Sequence, residues 1–165
     1  MKLLILSDSH AGLGFMRRCV EVVKPDQIIH LGDYYDDGQT LQQEYPHIPL
    51  LQVPGNCDRY RCFAGAPEVL FPMIAGVKLM LTHGHLHDVK RSLNMLLSDA
   101  RRNQVQAVLF GHTHICHCQL EDDGLWVLNP GSCGSYGGSA GILQIESGRV
   151  VDCCCITQWD LEEKQ

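Results

Sequence analysis

Apolar residues in this chain gather into short runs that stop abruptly at polar ones. Lys2–Leu6 is such a run, closed by Ser7-Asp8, and its length predicts a buried strand. Leu13, Met16, Cys19, Val20 and Val23 then recur at helical spacing until Pro25, which ends that helix. Residues 27–31, closed by Gly32-Asp33, read as a second buried strand. Residues 49–53, closed by Pro54-Gly55-Asn56, read as a third. Between these two strands, residues 34–46 are polar and aromatic without clean periodicity, which predicts a loop with at most a short helix.

Downstream the pattern changes. Residues 68–74 and Val77–Thr82 flank Ala75-Gly76 and predict a hairpin. Val89, Leu93, Leu96, Leu97 and Ala100 form the apolar stripe of a helix closed by Arg101-Arg102, cations that suit a helix C-terminus. Residues 106–110 form another buried run, ending at Gly111-His112-Thr113-His114, and short strands follow near 115–120, 125–128, 140–146 and 149–157. The early β-α-β order implies parallel pairing and the late short strands antiparallel pairing. The expected fold class is α/β, with two mixed sheets face to face, helices outside, and a single domain over residues 1–165.

Composition narrows the function. The chain has 165 residues, with 13 basic against 19 acidic side chains and a net charge of −6. That balance lacks the basic footprint of a general nucleic-acid or anionic-membrane binder. Apolar residues at 45% against 19% charged exclude wholesale disorder. No apolar run approaches the roughly 18–20 residues of a membrane span. The opening run ends at Ser7, too soon for the apolar core of a signal peptide. The nine cysteines are Cys19, Cys57, Cys62, Cys116, Cys118, Cys133, Cys153, Cys154 and Cys155. They are odd in number and irregular in spacing, and three are consecutive, which argues against a disulfide framework. Reduced thiols and a cytoplasmic location are the expectation. The oligomeric state stays open.

The polar residues with chemistry stand at strand ends. Asp8 and His10 follow the first strand, Asp33 the second and Asn56 the third. His83 follows the second hairpin strand, and His112 and His114 follow the strand after the helix. In open α/β sheets, sites form beyond the carboxyl ends of strands. Two aspartates, one asparagine and four histidines on one rim are a metal inventory that suits manganese, zinc, iron or nickel. Seven ligands exceed the need of one tetrahedral ion and match two ions sharing a carboxylate, an arrangement that clamps both oxygens of a phosphoryl displacement. Taken singly, each motif also reads as a turn or a helix cap. Their ordered recurrence at five strand ends favours the site.

Other residues take plainer readings. His30 lies inside an apolar strand and reads as a packed core histidine. If residues 115–120 form a strand, Cys116 and Cys118 share one face and His117 takes the other, which argues against a separate zinc site. Cys153 to Cys155 read as small apolar packing residues. Tyr34, Tyr35, Asp36 and Asp37 follow a ligand strand and are candidates for the site mouth. Arg59 and Arg61 are candidates for meeting a substrate phosphate.

The ordered motifs Asp8-Ser9-His10, Gly32-Asp33, Gly55-Asn56-Cys57-Asp58, His83-Gly84-His85 and Gly111-His112-Thr113-His114 resemble the signature of the calcineurin-like metallophosphoesterases. Asn129-Pro130-Gly131-Ser132 resembles their small prokaryotic phosphodiesterase branch. The resemblance covers residues 1 to about 150. It implies an α/β/β/α sandwich with two divalent ions, often manganese. One ion would be held by Asp8, His10, Asp33 and His114, the other by Asp33, Asn56, His83 and His112. A hydroxide between the ions is the implied nucleophile, and a small phosphodiester is the implied substrate. A phosphomonoesterase or nucleotide pyrophosphatase is the alternative enzyme. A protein-binding scaffold of the retromer-subunit type is the alternative class. One position departs from many members, which carry histidine where this chain has Cys57. Leaving-group protonation by the weakly donating Cys57 thiol is thereby in question, and His85, Asp58 or bulk water are the candidate substitutes.

Overall fold

The computed structural model describes residues 1–58, 65–134 and 137–162. The first half supplies β1 (Lys2–Leu6), α1 (Leu13–Val23), β2 (Gln27–His30), α2 (Tyr35–Glu44), β3 (Leu50–Gln52), β4 (Val69–Leu70), β5 (Met73–Ile74) and β6 (Val77–Thr82). The second half supplies α3 (Asn94–Arg102), β7 (Ala107–Leu109), β8 (Cys116–Leu120), β9 (Trp126–Pro130), β10 (Ser139–Glu146), β11 (Arg149–Thr157) and α4 (Gln158–Glu162). One sheet has the order β11-β10-β1-β2-β3, the other β4-β6-β7-β9-β8 with β5 paired to β6. Both are mixed. β1, β2 and β3 run parallel, as do β6, β7 and β9, while β10, β11 and β8 pair antiparallel to their neighbours.

Strand periodicity sorts the side chains into three apolar layers. Leu3, Ile5, Ile29 and Leu31 from one sheet meet Leu79, Leu81, Leu109 and Leu128 from the other. The opposite face of the first sheet, with Leu4, Leu6 and Ile28, packs on Met16, Cys19 and Val20 of α1. The opposite face of the second, with Met80, Val108 and Val127, packs on Leu96 and Ala100 of α3. The result is the four-layer α/β/β/α sandwich. Central strands buried on both faces explain why their sequences read as unbroken apolar runs.

Two boundaries differ from the sequence reading. Residues 35–44 form a full helix rather than a loop. Its periodicity is weak because Asp37, Gly38 and Leu41 are its only buried residues. Gly38 lies against the Gln52 side chain, where a Cβ would collide. Polar tethers hold the helix start instead of a stripe. Asp58 Oδ1 accepts the Tyr34 and Tyr35 N–H groups at 2.9 and 3.0 Å, and Asp37 Oδ2 accepts Ser9 Oγ at 2.7 Å and Ala11 N at 2.9 Å. The later helix starts at Asn94, not at Val89. A short 3-10 turn over His85–His87 and a left-handed Asp88 precede it, yet Val89 is still buried in the third layer.

Candidate metal centre

The carboxyl ends of β1, β2, β3, β6 and β7 open on one rim, and each delivers a polar residue in its first few positions. The chain turns there more sharply than ordinary side chains allow. Asp8, His10, Asp33, His112 and His114 all have positive φ, between 42° and 69°. Aspartate, asparagine and histidine tolerate this left-handed region best after glycine. The same residue types ligate metals. Glycines supply the remaining clearance: a Cβ on Gly55 would strike the Asp33 carboxylate, and one on Gly111 would strike Ser7 Oγ.

The side chains converge. Ligating atoms of Asp8, His10, Asp33 and His114 all lie within 4.8 Å of one another. His114 Nε2 stands 3.1 Å from Asp8 Oδ1, and His10 Nε2 stands 4.0 Å from Asp33 Oδ2. The other Asp33 oxygen faces a second group. His83 Nε2 is 3.5 Å from Asp33 Oδ1 and 3.2 Å from Asn56 Oδ1, with the His112 ring 5.0 Å from that of His83. His83 Nδ1 lies 2.8 Å from the Leu31 carbonyl and donates to it, which turns the bare Nε2 toward the carboxylates.

Electrostatics explain why such a cluster calls for a cation. Asp8 is fully buried, and its Oδ1 has no hydrogen-bond partner among the described residues, nor does His10 Nε2. Burial lifts the Asp8 carboxyl to about 6, against the opposing pull of the Ser7 hydroxyl and the His112 N–H. Burial also holds His83 near 4, so its imidazole is neutral. At Asp33, burial is outweighed by the N–H and thiol of Cys57 together with the His10 ring, and its carboxyl stays below the usual range. Buried acceptors facing neutral imidazoles are costly unless a positive ion joins them. The donor set of carboxylates, imidazoles and an amide fits a divalent transition ion.

The other sequence candidates divide by position. Cys57 is exposed beside Asn56, whose Nδ2 lies 3.4 Å from its sulfur, and its N–H donates to Asp33 Oδ1 at 2.9 Å. His85 lies on the His83 and His112 side of the rim, its Nε2 3.7 Å from Glu68. Asp58 is almost fully buried, and both its oxygens accept backbone N–H groups, Tyr34 and Tyr35 on one side and Gly55 on the other. That is the geometry of a brace between two ligand loops. Tyr34 stacks edge-on against His10, but Asp37 points inward to Ser9 and not to the mouth. Arg59 and Arg61 lie outside the described residues. His30 is a buried core residue held near 4 by burial, with its Nε2 3.2 Å from Ser9 Oγ. The alternation of 116 to 118 holds too: Cys118 faces Cys153, while the His117 ring faces Phe110.

Sequence reasoning missed the rim's supports. Asn129 is fully buried; its Nδ2 donates to Gly111 O at 2.8 Å and to Thr113 Oγ1 at 3.0 Å, which fixes the loop carrying His112 and His114. Ser132 Oγ donates to the Asp8 carbonyl at 2.8 Å, and Ser7 Oγ to the Asp8 carboxylate at 2.6 Å. Their trace in the sequence is the Asn129–Ser132 run, which by itself does not show what its side chains hold.

Comparison with known proteins agrees with this geometry. A probable metallophosphoesterase of Bacillus subtilis, YsnB, is 34% identical over 139 residues, covering 80% of this chain and 75% of that protein. The Methanocaldococcus jannaschii phosphodiesterase MJ0936 is 28% identical over 150 residues, covering 82% and 86%. Among solved structures, Vps29 of Entamoeba histolytica, complexed with zinc, superposes with a TM-score of 0.72 at 22% identity over 95% of this chain and 99% of that one, a likeness of fold. The profile of the calcineurin-like phosphoesterase superfamily domain matches residues 1–148. With the fold, the rim and these matches in agreement, the chain belongs to the calcineurin-like phosphoesterase superfamily.

Proposed function

We propose that this phosphoesterase-family protein is a phosphodiesterase working with two divalent ions, manganese in first place and zinc, nickel or iron(II) as alternatives. The observation that carries the reading is the position of Asp33. One carboxylate oxygen faces the Asp8, His10 and His114 group and the other faces His83 and Asn56. Asp8, His10, Asp33 and His114 hold one ion, and Asp33, Asn56, His83 and His112 hold the other. Such an ion pair, when bound, lowers the pKa of a water toward 7 and neutralises charge on the phosphate ester. The chain's residues do the rest. The left-handed turns present the ligands, the Leu31 carbonyl fixes the His83 tautomer, and Asn129 and Asp58 keep the loops in register. The diester preference follows the name of the archaeal relative. The scaffold reading is less supported, because all seven ligand positions hold competent residues that converge. In this reading the protein works in the cytoplasm on a small phosphate ester.

The test is hydrolysis of an aryl phosphodiester against the monoester of the same leaving group, by metal-stripped protein and after addition of manganese, zinc or nickel. Diester turnover that appears only with metal supports the proposal. Metal-dependent turnover confined to the monoester replaces it with the phosphomonoesterase, and two bound ions without turnover favour the scaffold.

Cys57 sets a further expectation. Burial, together with Asp33 close by, pushes its thiol up to about 11, so it stays protonated at neutral pH but donates weakly. Turnover should therefore depend steeply on leaving-group pKa. Cys57→His should speed esters with poor leaving groups by about 10²-fold more than those with good ones, within the usual range of general acid catalysis. The check is kcat/KM across a phosphodiester series for both proteins. Parallel dependences would exclude position 57 as the acid and make His85 the next to change.

A further inference from the structure

A second concentration of reactive side chains lies away from the rim, between the sheets. β8 and β11 are edge strands of opposite sheets. Alternation puts Cys116 and Cys118 on one face of β8, and Cys153 and Cys155 on one face of β11. These faces meet. Cys118 Sγ lies 3.0 Å from Cys153 Sγ and 3.1 Å from the Cys153 carbonyl oxygen. Two residues further along each strand, the Cys116 thiol donates to the Pro130 carbonyl at 3.3 Å and the Cys155 thiol to the Asn129 carbonyl at 3.4 Å, both on β9. Cys116, Cys118, Cys153 and Cys155 are all reduced, free thiols. Packing alone asks only for small apolar residues here, yet Cys118 and Cys153 set sulfur directly against sulfur.

We propose that Cys118 and Cys153 form a redox-active dithiol whose oxidising substrate is a low-molecular-weight disulfide. A disulfide bond is about 2.05 Å long, so the two sulfurs need to close by about 1 Å. Cys118 is the exposed member and Cys153 the buried one. Burial, reinforced by Cys118, pushes the Cys153 thiol up, so Cys118 reacts first. Its thiolate attacks one sulfur of the small disulfide, the S–S bond breaks, and a small thiolate leaves, giving a mixed disulfide on Cys118. Cys153 gives up its proton to solvent and attacks the Cys118 sulfur, and the second small thiolate leaves. Two protein thiols and one small disulfide thus become one protein disulfide and two small thiols. The product staples the open edge of the sandwich a few residues beyond the His112 and His114 loop.

The experiment incubates the full-length reduced protein with oxidised glutathione, blocks remaining thiols, and maps the proteolytic peptides by mass. The expected result is a loss of about 2 Da, a peptide pair joined through Cys118 and Cys153, and full reversal by dithiothreitol. The linked form should melt about 5–10 °C higher, because a loop of 35 residues is closed in the unfolded chain. Cys153→Ser should instead accumulate one glutathione on Cys118. Glutathione that persists on Cys118 in the unaltered protein would overturn the proposal, since Cys153 would then not resolve it. So would both thiols remaining fully alkylatable after prolonged incubation. The mapping of the unaltered protein decides the matter even if the serine variant does not fold.

Discussion

Asp33→Asn is expected to lower kcat/KM by at least about a thousandfold and to reduce the metal content of the purified protein below two ions. Asparagine keeps the size and shape of aspartate, so the fold should persist. Its carbonyl oxygen can still accept the Cys57 N–H, which is the 2.9 Å bond that anchors the native side chain. The amide nitrogen then takes the place of the oxygen that faces His10. Two N–H donors would point where an acceptor is needed, and one negative charge would be gone from between the two groups of ligands. Metal analysis and turnover on an aryl phosphodiester check both effects. Two ions bound with normal turnover would remove Asp33 from its central place.

Asp8→Asn should show the opposite behaviour in stability. In the metal-free protein the Asp8 carboxyl titrates near 6, raised by burial above the ordinary 3.8. The folded state then keeps a proton that the unfolded chain has already lost. Asp8 therefore costs the metal-free fold stability as pH rises from about 4 to about 6, and the full cost, on the order of 3 kcal/mol, applies above that window. Asparagine cannot ionise, yet its oxygen can still accept from Ser7 Oγ and the His112 N–H. Metal-free Asp8→Asn should thus gain about 2–3 kcal/mol over the unaltered protein near neutral pH, and almost nothing near pH 3.5. His30, held near 4 by burial, titrates in the opposite sense in both proteins and cancels in the difference. Urea unfolding of chelator-treated proteins at several pH values measures it. With manganese present the order should reverse, because the variant lacks a ligand charge. A gain that does not change with pH would show that the Asp8 carboxyl carries no such cost.

The layers were legible because their strands are short, apolar and bounded. Lys2–Leu6 and Val77–Thr82 are buried along nearly their whole length, and nothing but a strand suits such runs. α2 was not legible, since its anchors are Gly38 against Gln52, its own Asp37 reaching across to Ser9, and the distant Asp58 carboxylate on its first N–H groups, none of which leaves a periodic trace. The residues that meet at the rim could be named because each follows a strand end. Their supports could not. Asp58 read as a candidate acid because it stands beside Asn56 and Cys57 in the chain, and only the fold shows it turned inward onto Gly55, Tyr34 and Tyr35. Asn129 acts across the sheet on a loop 16 to 18 residues away, a distance that composition and periodicity do not register.

The left-handed backbone at Asp8, His10, Asp33, His112 and His114 bears on how such a protein changes over generations or in a laboratory library. Each of these conformations costs a non-glycine residue on the order of 1 kcal/mol or more. Glycine at the same positions would be free of it. Selection for heat resistance alone would therefore reward the removal of the very residues that converge on the rim. On the proposed function, a stabilising screen run without metal would enrich folded, inert descendants, and the rim would survive only where the screen demands bound metal or turnover at every round.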